Sequence, residues 1–205
     1  MTANTITVLR MPLLLAIILL LYADSAVPAL IAAVLIIVLI ILDSVDGAVA
    51  RRLKQSSLLG SVLDIAADRA VEFLLWVVFA DLDLIPVVVP LVVLLRGVFV
   101  DSIRGVAPSL GLTPFELTPS PLSRFLVKSP WLRTPYGIVK AIAFCLLAVT
   151  RGLQLAALPS AAGFNIAAQI AVWTAVALCL LRGVPVLVEG SMILVKADRQ
   201  AHLQS

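Results

Sequence analysis

The chain has 205 residues, of which 62% are hydrophobic and 13% are charged, and its mean hydropathy is +1.15. A soluble domain is roughly 45–50% apolar and about 25% charged, so this composition excludes a soluble globular protein and indicates an integral membrane protein. The formal net charge is only +3, and we expect membrane lipid rather than nucleic acid as a partner of this chain.

Six hydrophobic segments predict six transmembrane helices in a single membrane domain that covers residues 1–205. Each segment has about 20 residues or more, enough to cross about 30 Å of hydrocarbon at 1.5 Å per residue. The segments lack the polar and apolar alternation of membrane strands, so the predicted fold class is all-α, a polytopic helical bundle. The predicted spans cover residues 5–23, 27–50, 58–80, 84–106, 134–153 and 164–190.

Lysine and arginine are concentrated on one side of the predicted bundle. The basic residues of the connections and tail on this side lie in the segments 51–54, 104–133 and 196–199. The turns of the opposite side, near 24–26 and 81–83, carry aspartate and no basic residue, and Arg151 is the one exception to the bias. Because cytoplasmic loops are enriched in lysine and arginine, we predict a multi-pass protein of the cell (inner) membrane with both termini in the cytoplasm.

The connection at residues 107–133 contains five prolines, which exclude one continuous helix. We expect short helical or irregular pieces that lie at the cytoplasmic surface. Two interpretations of this connection remain open, a loop that covers the bundle and a flap over an acceptor site.

Four aspartates stand at the predicted cytoplasmic ends of the second and third spans, in the stretch DSVDGAVARRLKQSSLLGSVLDIAAD at 43–68. Residues three and four apart share one face of a helix, so the stretch forms two polar faces. The face of the second helix holds Asp43, Asp46, Gly47, Ala50 and Arg51, and that of the third holds Gly60, Asp64 and Asp68. If the two helices are neighbours, the four carboxylates converge, and the small residues let a ligand approach the backbone between them.

Four carboxylates at a membrane edge need compensating positive charge, because like charges and a low dielectric both disfavour ionisation. Arg51 supplies one positive charge, and one or two divalent cations would supply the rest. Oxygen-only ligands favour hard metals such as Mg²⁺, Mn²⁺ or Ca²⁺, and two such ions suit phosphoryl chemistry. Intramembrane acids also form ion pathways, so the carboxylates alone leave both an enzyme and a divalent-cation transporter open.

The spacing resembles the signature of the CDP-alcohol phosphotransferase (class I CDP-alcohol phosphatidyltransferase) family, D-x2-D-G-x2-A-R-x8-G-x3-D-x3-D. All eight fixed positions are present over 26 residues. The resemblance implies a six-span homodimer whose site opens to the cytoplasm. It implies an enzyme that moves a phosphatidyl group from CDP-diacylglycerol to an alcohol and releases CMP in phospholipid biosynthesis.

The same resemblance implies a role for each residue of the motif. Two divalent metal ions, Mg or Mn, would be held by Asp43, Asp46, Asp64 and Asp68. Asp68 would also act as the general base. The nucleotide site would be lined by Gly47, Ala50, Arg51 and Gly60. The intact set of four aspartates disfavours a non-catalytic scaffold.

The acceptor alcohol is indicated by three looser likenesses to bacterial phosphatidylglycerophosphate synthases. Their N-x-x-T-x-x-R, R-E-x-x-x-S-x-L-R and G-K-x-K-T segments are partly matched by Asn4, Thr7 and Arg10, by Arg96 and Arg104, and by Gly137 and Lys140. The departures from these segments are Gly97, Asp101, Ile138 and Ala141.

We predict that Arg96, Arg104 and Lys140 bind the acceptor, because such a basic cluster suits a small phosphorylated alcohol. Arg96 lies inside an apolar run, where a charged side chain is unfavourable and usually has a function. Glycerol-3-phosphate is the leading acceptor, and phosphatidylglycerol, inositol phosphate and serine remain open.

Overall fold

The computed structural model describes residues 3–53, 58–110, 118–128 and 130–204. In parts of these ranges only the backbone is described, and residues 43–53 are one such part. Five predicted site residues therefore lie outside the described side chains, namely Asp43, Asp46, Gly47, Ala50 and Arg51.

The described ranges form seven α-helices and one short 3₁₀-helix, without a strand, which confirms the predicted all-α class. Six of the α-helices have 19 residues or more, and α5 has eight. The helices are α1 (Ala3–Tyr22), α2 (Ala26–Leu53), α3 (Leu58–Asp81), α4 (Val88–Val106), α5 (Pro121–Lys128), α6 (Pro130–Leu155) and α7 (Ala161–Gln204), and the 3₁₀-helix is Ala107–Leu110.

Two helical segments of the described chain are long and apolar enough on their own to cross a membrane. They are Thr134–Leu155 and Ala161–Lys196, with mean hydropathies of 1.7 and 2.0. Large aliphatic side chains are also exposed along the helices, for example Leu19 at 64% and Ile170 at 65%. Apolar faces of this kind are unfavourable in water and suit contact with lipid. The prediction of a helical membrane bundle is thereby confirmed.

The first compact unit of the chain consists of residues Met1–Pro90 and Lys140–Val172. Its core contains the ring of Phe144, which the buried Trp76 meets edge-on with centroids 4.6 Å apart and on which Phe79 stacks at 6.0 Å. Gly152 lets α6 approach α2 closely, because a Cβ atom at this position would lie 2.8 Å from Leu30 Cδ2. In this unit α6 therefore packs against both α2 and α3.

A residue with a left-handed backbone follows two positions after the end of each of α3 and α6, namely Asp83 (φ 57°) and Ala157 (φ 54°). In each case the next residue donates its amide to the carbonyl five positions back, at 3.0 and 3.1 Å. These bonds satisfy carbonyls that the helix leaves unpaired and turn the chain sharply toward the next helix.

Polar side chains link helix ends at the end of this unit opposite the motif. Tyr22 donates a 2.6 Å hydrogen bond to Asp81, and Arg151 Nη2 lies 3.5 Å from Asp24 Oδ1. Arg151 is the basic residue that departs from the predicted charge bias, and the pairing gives it an acidic partner on its own side.

The second compact unit consists of residues Leu91–Val139 and Trp173–Ser205. Its core includes Val100 of α4, Val127 of α5 and Val186 of α7, all buried. The 3₁₀-helix and α5 are the described pieces of the proline-rich connection, whose residues 111–117 and 129 lie outside the described part of the chain.

A carboxylate of α7 holds the start of α5. Glu189 accepts hydrogen bonds from the backbone amide of Ser120 at 3.3 Å, from the Ser120 hydroxyl at 2.5 Å and from the Ser123 hydroxyl. Ser120 is also the N-cap of α5, because its hydroxyl accepts the Ser123 amide at 3.3 Å. The proline-rich connection is therefore anchored to α7 through one side chain.

We expect Glu189→Ala to lower the melting temperature of the detergent-solubilised protein by roughly 2–6 °C, because about 1–2 kcal/mol of charge-assisted hydrogen bonding is lost. Ser191→Ala is the matched control, since the Ser191 hydroxyl bonds the carbonyl of Val188 within its own helix. Equal melting temperatures for Glu189→Ala and the control would contradict the anchoring role. The measurement is a thermal denaturation curve of each variant.

Candidate active site

The described half of the aspartate motif lies on α3 in the first unit. Asp64 and Asp68 stand one turn apart on the same face of the helix, with side chains 49% and 50% exposed. Gly60 precedes them by one further turn and is partly buried. The i, i+4, i+8 face predicted from the spacing is therefore present in the helix.

Arg10 of α1 reaches this face of α3. Its side chain is only 3% exposed, its Nη2 lies 2.9 Å from Asp68 Oδ1, and its Nη1 lies 3.8 Å from Asp64 Oδ1. One buried guanidinium thus contacts two carboxylates on adjacent turns. Our sequence prediction assigned compensating charge to Arg51, whereas Arg10 entered it only as part of the N-terminal likeness. Arg10 is separated from Asp68 by 58 positions, and no local spacing pattern indicates this contact.

The donor set of this face fits a hard metal ion. Asp64 and Asp68 offer only carboxylate oxygens, they are half exposed, and their two negative charges exceed the single charge of Arg10. The described residues contain no group of three or more His, Cys, Asp or Glu side chains that could hold a metal ion. Asp43 and Asp46, the other two predicted ligands, lie outside the described side chains.

A buried carboxylate lies one turn beyond Asp68. The Glu72 side chain is 5% exposed, and its Oε2 lies 3.2 Å from both Arg69 Nη1 and Lys140 Nζ. Lys140 is a predicted acceptor residue, and the structure brings it from α6 to the motif-bearing helix. Our sequence prediction did not include Glu72, although it continues the 60-64-68 series and is a charged residue at the start of an apolar run.

The other two predicted acceptor residues lie on α4 in the second unit. The Arg96 residue is 9% exposed, and its buried Nε makes no hydrogen bond. Its Cγ and Nε lie 2.6 Å from the position that a Cβ of Gly183 would occupy, so the guanidinium stem lies across the backbone of α7. Arg104 is in the last turn of α4, where a positive charge interacts favourably with the helix carbonyls.

Arg182 is a further cation of the second unit, and its side chain is partly buried. Its Nε is buried, and its guanidinium carbon lies 5.8 Å above the ring centre of Tyr136 on α6. That distance is typical of a cation–π contact. Our sequence prediction did not include Arg182, although a charge inside the last apolar run is a signal of the same kind as Arg96.

A comparison with protein-family models matches residues 1–181 of the chain to the family described as CDP-alcohol phosphatidyltransferase. The matched range includes all of α1 to α6 and the first half of α7. A comparison with curated proteins finds no match.

Proposed function

The chain belongs to the CDP-alcohol phosphatidyltransferase family, and we propose that it transfers the phosphatidyl group of CDP-diacylglycerol to glycerol-3-phosphate in a metal-dependent reaction. Membership of the family supports phosphatidyl transfer from a CDP-alcohol to an alcohol in phospholipid synthesis. The observation that carries the proposal is the pair of motif carboxylates, Asp64 and Asp68, which share one face of α3 and are both contacted by the buried Arg10.

The four motif aspartates, Asp43, Asp46, Asp64 and Asp68, would hold two divalent ions, Mg or Mn. Family members generally use divalent metals. When bound, such ions would stabilise the negative charge that develops on the diphosphate as CMP leaves. The small residues Gly47, Ala50 and Gly60 would let the nucleotide approach the two helices closely, with Arg51 near the diphosphate.

Asp68 is the proposed general base. It would accept the proton of the acceptor hydroxyl as that oxygen bonds to the phosphorus of the phosphatidyl group, while the bond from this phosphorus to CMP breaks. The 2.9 Å contact with Arg10 fixes the orientation of one Asp68 oxygen. A base held in one orientation loses less entropy when the acceptor binds.

Arg96, Arg104 and Lys140 are the proposed acceptor residues. Arg96 supports a phosphorylated acceptor most strongly, because a buried guanidinium in an apolar helix is costly unless an anion meets it. A phosphate group accepts several hydrogen bonds from one guanidinium. Phosphatidylglycerol, inositol phosphate and serine are the alternative acceptors.

The acceptor is tested by a panel assay with purified protein, labelled CDP-diacylglycerol and Mg²⁺ or Mn²⁺. We expect CMP release with glycerol-3-phosphate and little with serine.

We expect Arg96→Ala to raise the KM for glycerol-3-phosphate about tenfold or more, because a charge-assisted contact is lost, while the KM for the donor is unchanged. Transfer to serine alone, or an unchanged acceptor KM in Arg96→Ala, would contradict the assignment. Metal uptake by proteoliposomes without CMP release would support divalent-cation transport instead.

We propose a homodimer in the inner membrane, formed by a single domain of residues 1–205, with both termini and the active site in the cytoplasm. The charge bias of the connections and tail supports this orientation. Labelling of single cysteines placed in the tail and in the 81–83 turn of intact cells would test it.

A further inference from the structure

The Glu72 cluster consists of Glu72, Arg69 and Lys140, and its carboxylate is buried whereas its two cations are partly exposed. The Glu72 side chain is 5% exposed, whereas the side chains of Lys140 and Arg69 are 24% and 29% exposed. Both cations contact the same carboxylate oxygen at 3.2 Å. A ligand that approaches this cluster therefore meets the two cations before it meets the carboxylate.

The charge of the cluster favours an anion. One carboxylate and two cations leave these three groups with a net positive charge. A carboxylate buried in an apolar helix is strongly unfavourable unless cations pair with it. The burial of Glu72 therefore favours conformations in which Lys140 and Arg69 stay in contact with it. Lysine has four rotatable side-chain bonds, and a free Lys140 would lose much more entropy on binding a ligand.

The location of the cluster connects it to the proposed reaction. Glu72 is one helical turn beyond Asp68 and two beyond Asp64, on the same face of α3. Lys140 belongs to α6, so the contact with Glu72 brings a cation of another helix beside the carboxylates. All of these residues lie in the first unit.

We propose that Glu72 is a positioning residue that holds Lys140 at the motif face so that its ammonium group binds the phosphate of the acceptor. The inference rests on the proposed phosphatidyl transfer and deepens it, because it assigns acceptor recognition to a carboxylate that does not touch the acceptor. Glu72 acts through Lys140, and Arg69 shares the same carboxylate oxygen.

The test is steady-state kinetics of Glu72→Gln, which keeps the shape of the side chain and removes its charge. We expect the KM for a phosphorylated acceptor to rise about tenfold or more, with the donor KM unchanged and kcat within about twofold. Glu72→Asp should recover part of the loss. In a Lys140→Met background, Glu72→Gln should add little, because both changes remove the same interaction.

The control for a merely structural role is Asp81→Ala, which removes a hydrogen-bonded carboxylate at the end of the first unit opposite the motif. It should lower the melting temperature without changing the acceptor KM. If Glu72→Gln behaves in the same way, or if its effect adds fully to that of Lys140→Met, the inference is wrong. Should Glu72→Gln fail to fold, Lys140→Met alone must still raise the acceptor KM, and an unchanged KM there overturns the inference.

A second readout does not need activity. Lys140 should react faster with an amine-specific reagent in Glu72→Gln than in the wild-type protein, as measured by mass spectrometry of the labelled peptide. Equal labelling would contradict the pairing itself. If the wild-type protein transfers to no acceptor while the labelling difference is present, the proposed function fails and the pairing stands.

Discussion

Asp68→Asn should reduce the rate of phosphatidyl transfer by about 10²–10⁴-fold, the usual contribution of a general base. The amide cannot accept the proton of the acceptor hydroxyl. It can still accept a hydrogen bond from Arg10, which contacts Asp68 Oδ1 at 2.9 Å. The protein should therefore fold, and CMP release from CDP-diacylglycerol measures the effect.

Asp24→Asn is the matched control for this loss. Asp24 is also an aspartate within reach of an arginine, Arg151 at 3.5 Å, but it lies at the end of the first unit opposite the motif. Its transfer rate should equal that of the wild-type protein. If the activity of Asp68→Asn is within a factor of two of the wild-type activity, Asp68 is not the general base.

Arg10→Met should make the stability of the protein depend on a divalent metal. The buried guanidinium contacts both Asp64 and Asp68, so its loss removes a positive charge that two neighbouring carboxylates share. We expect a loss of about 1–2 kcal/mol in the presence of a chelator, a small value because the carboxylates are half exposed. This corresponds to roughly 5 °C in melting temperature. Added Mg²⁺ should restore most of it, since a divalent cation would supply the missing charge.

Arg151→Met is the control for the dependence of stability on Mg²⁺, because it also removes the arginine of an ion pair. Arg151 pairs with Asp24, which is 92% exposed and lies away from the motif, so the variant should respond to Mg²⁺ no more than the wild type does. If Mg²⁺ fails to raise the melting temperature of Arg10→Met above that of the chelator-treated variant, Arg10 does not balance the charge of a metal site.

The fold class followed from composition and segment length alone, because burial in lipid requires long apolar helices and leaves few alternatives. The ends of the helices were harder to predict from composition and segment length. Helix α7 continues to Gln204, well past the hydrophobic segment that ends near 190, because polar residues can extend a helix beyond the hydrocarbon. The turns that follow α3 and α6 use a left-handed backbone at Asp83 and Ala157 rather than at a glycine, so no glycine in the sequence indicates them.

The site was predictable where its residues lie close together in the sequence. The spacing of Asp64 and Asp68 determines that they share a face of α3, and the structure has them so. Contacts between helices distant in the sequence were not predictable, since no local pattern encodes which helices are neighbours. Arg10, which reaches the motif from α1, and Glu72, which receives Lys140 from α6, are both of this kind.

Phosphatidyl transfer from CDP-diacylglycerol to a phosphorylated alcohol can be measured in a single assay. Purified protein in lipid is incubated with labelled CDP-diacylglycerol, glycerol-3-phosphate and Mg²⁺, and both products are quantified. We predict equal amounts of CMP and labelled phosphatidylglycerophosphate, and neither product when a chelator replaces Mg²⁺ or when Asp64→Asn replaces the wild-type protein. CMP release without the new lipid, or transfer that persists in Asp64→Asn, would show that the protein does not catalyse the proposed reaction at this motif.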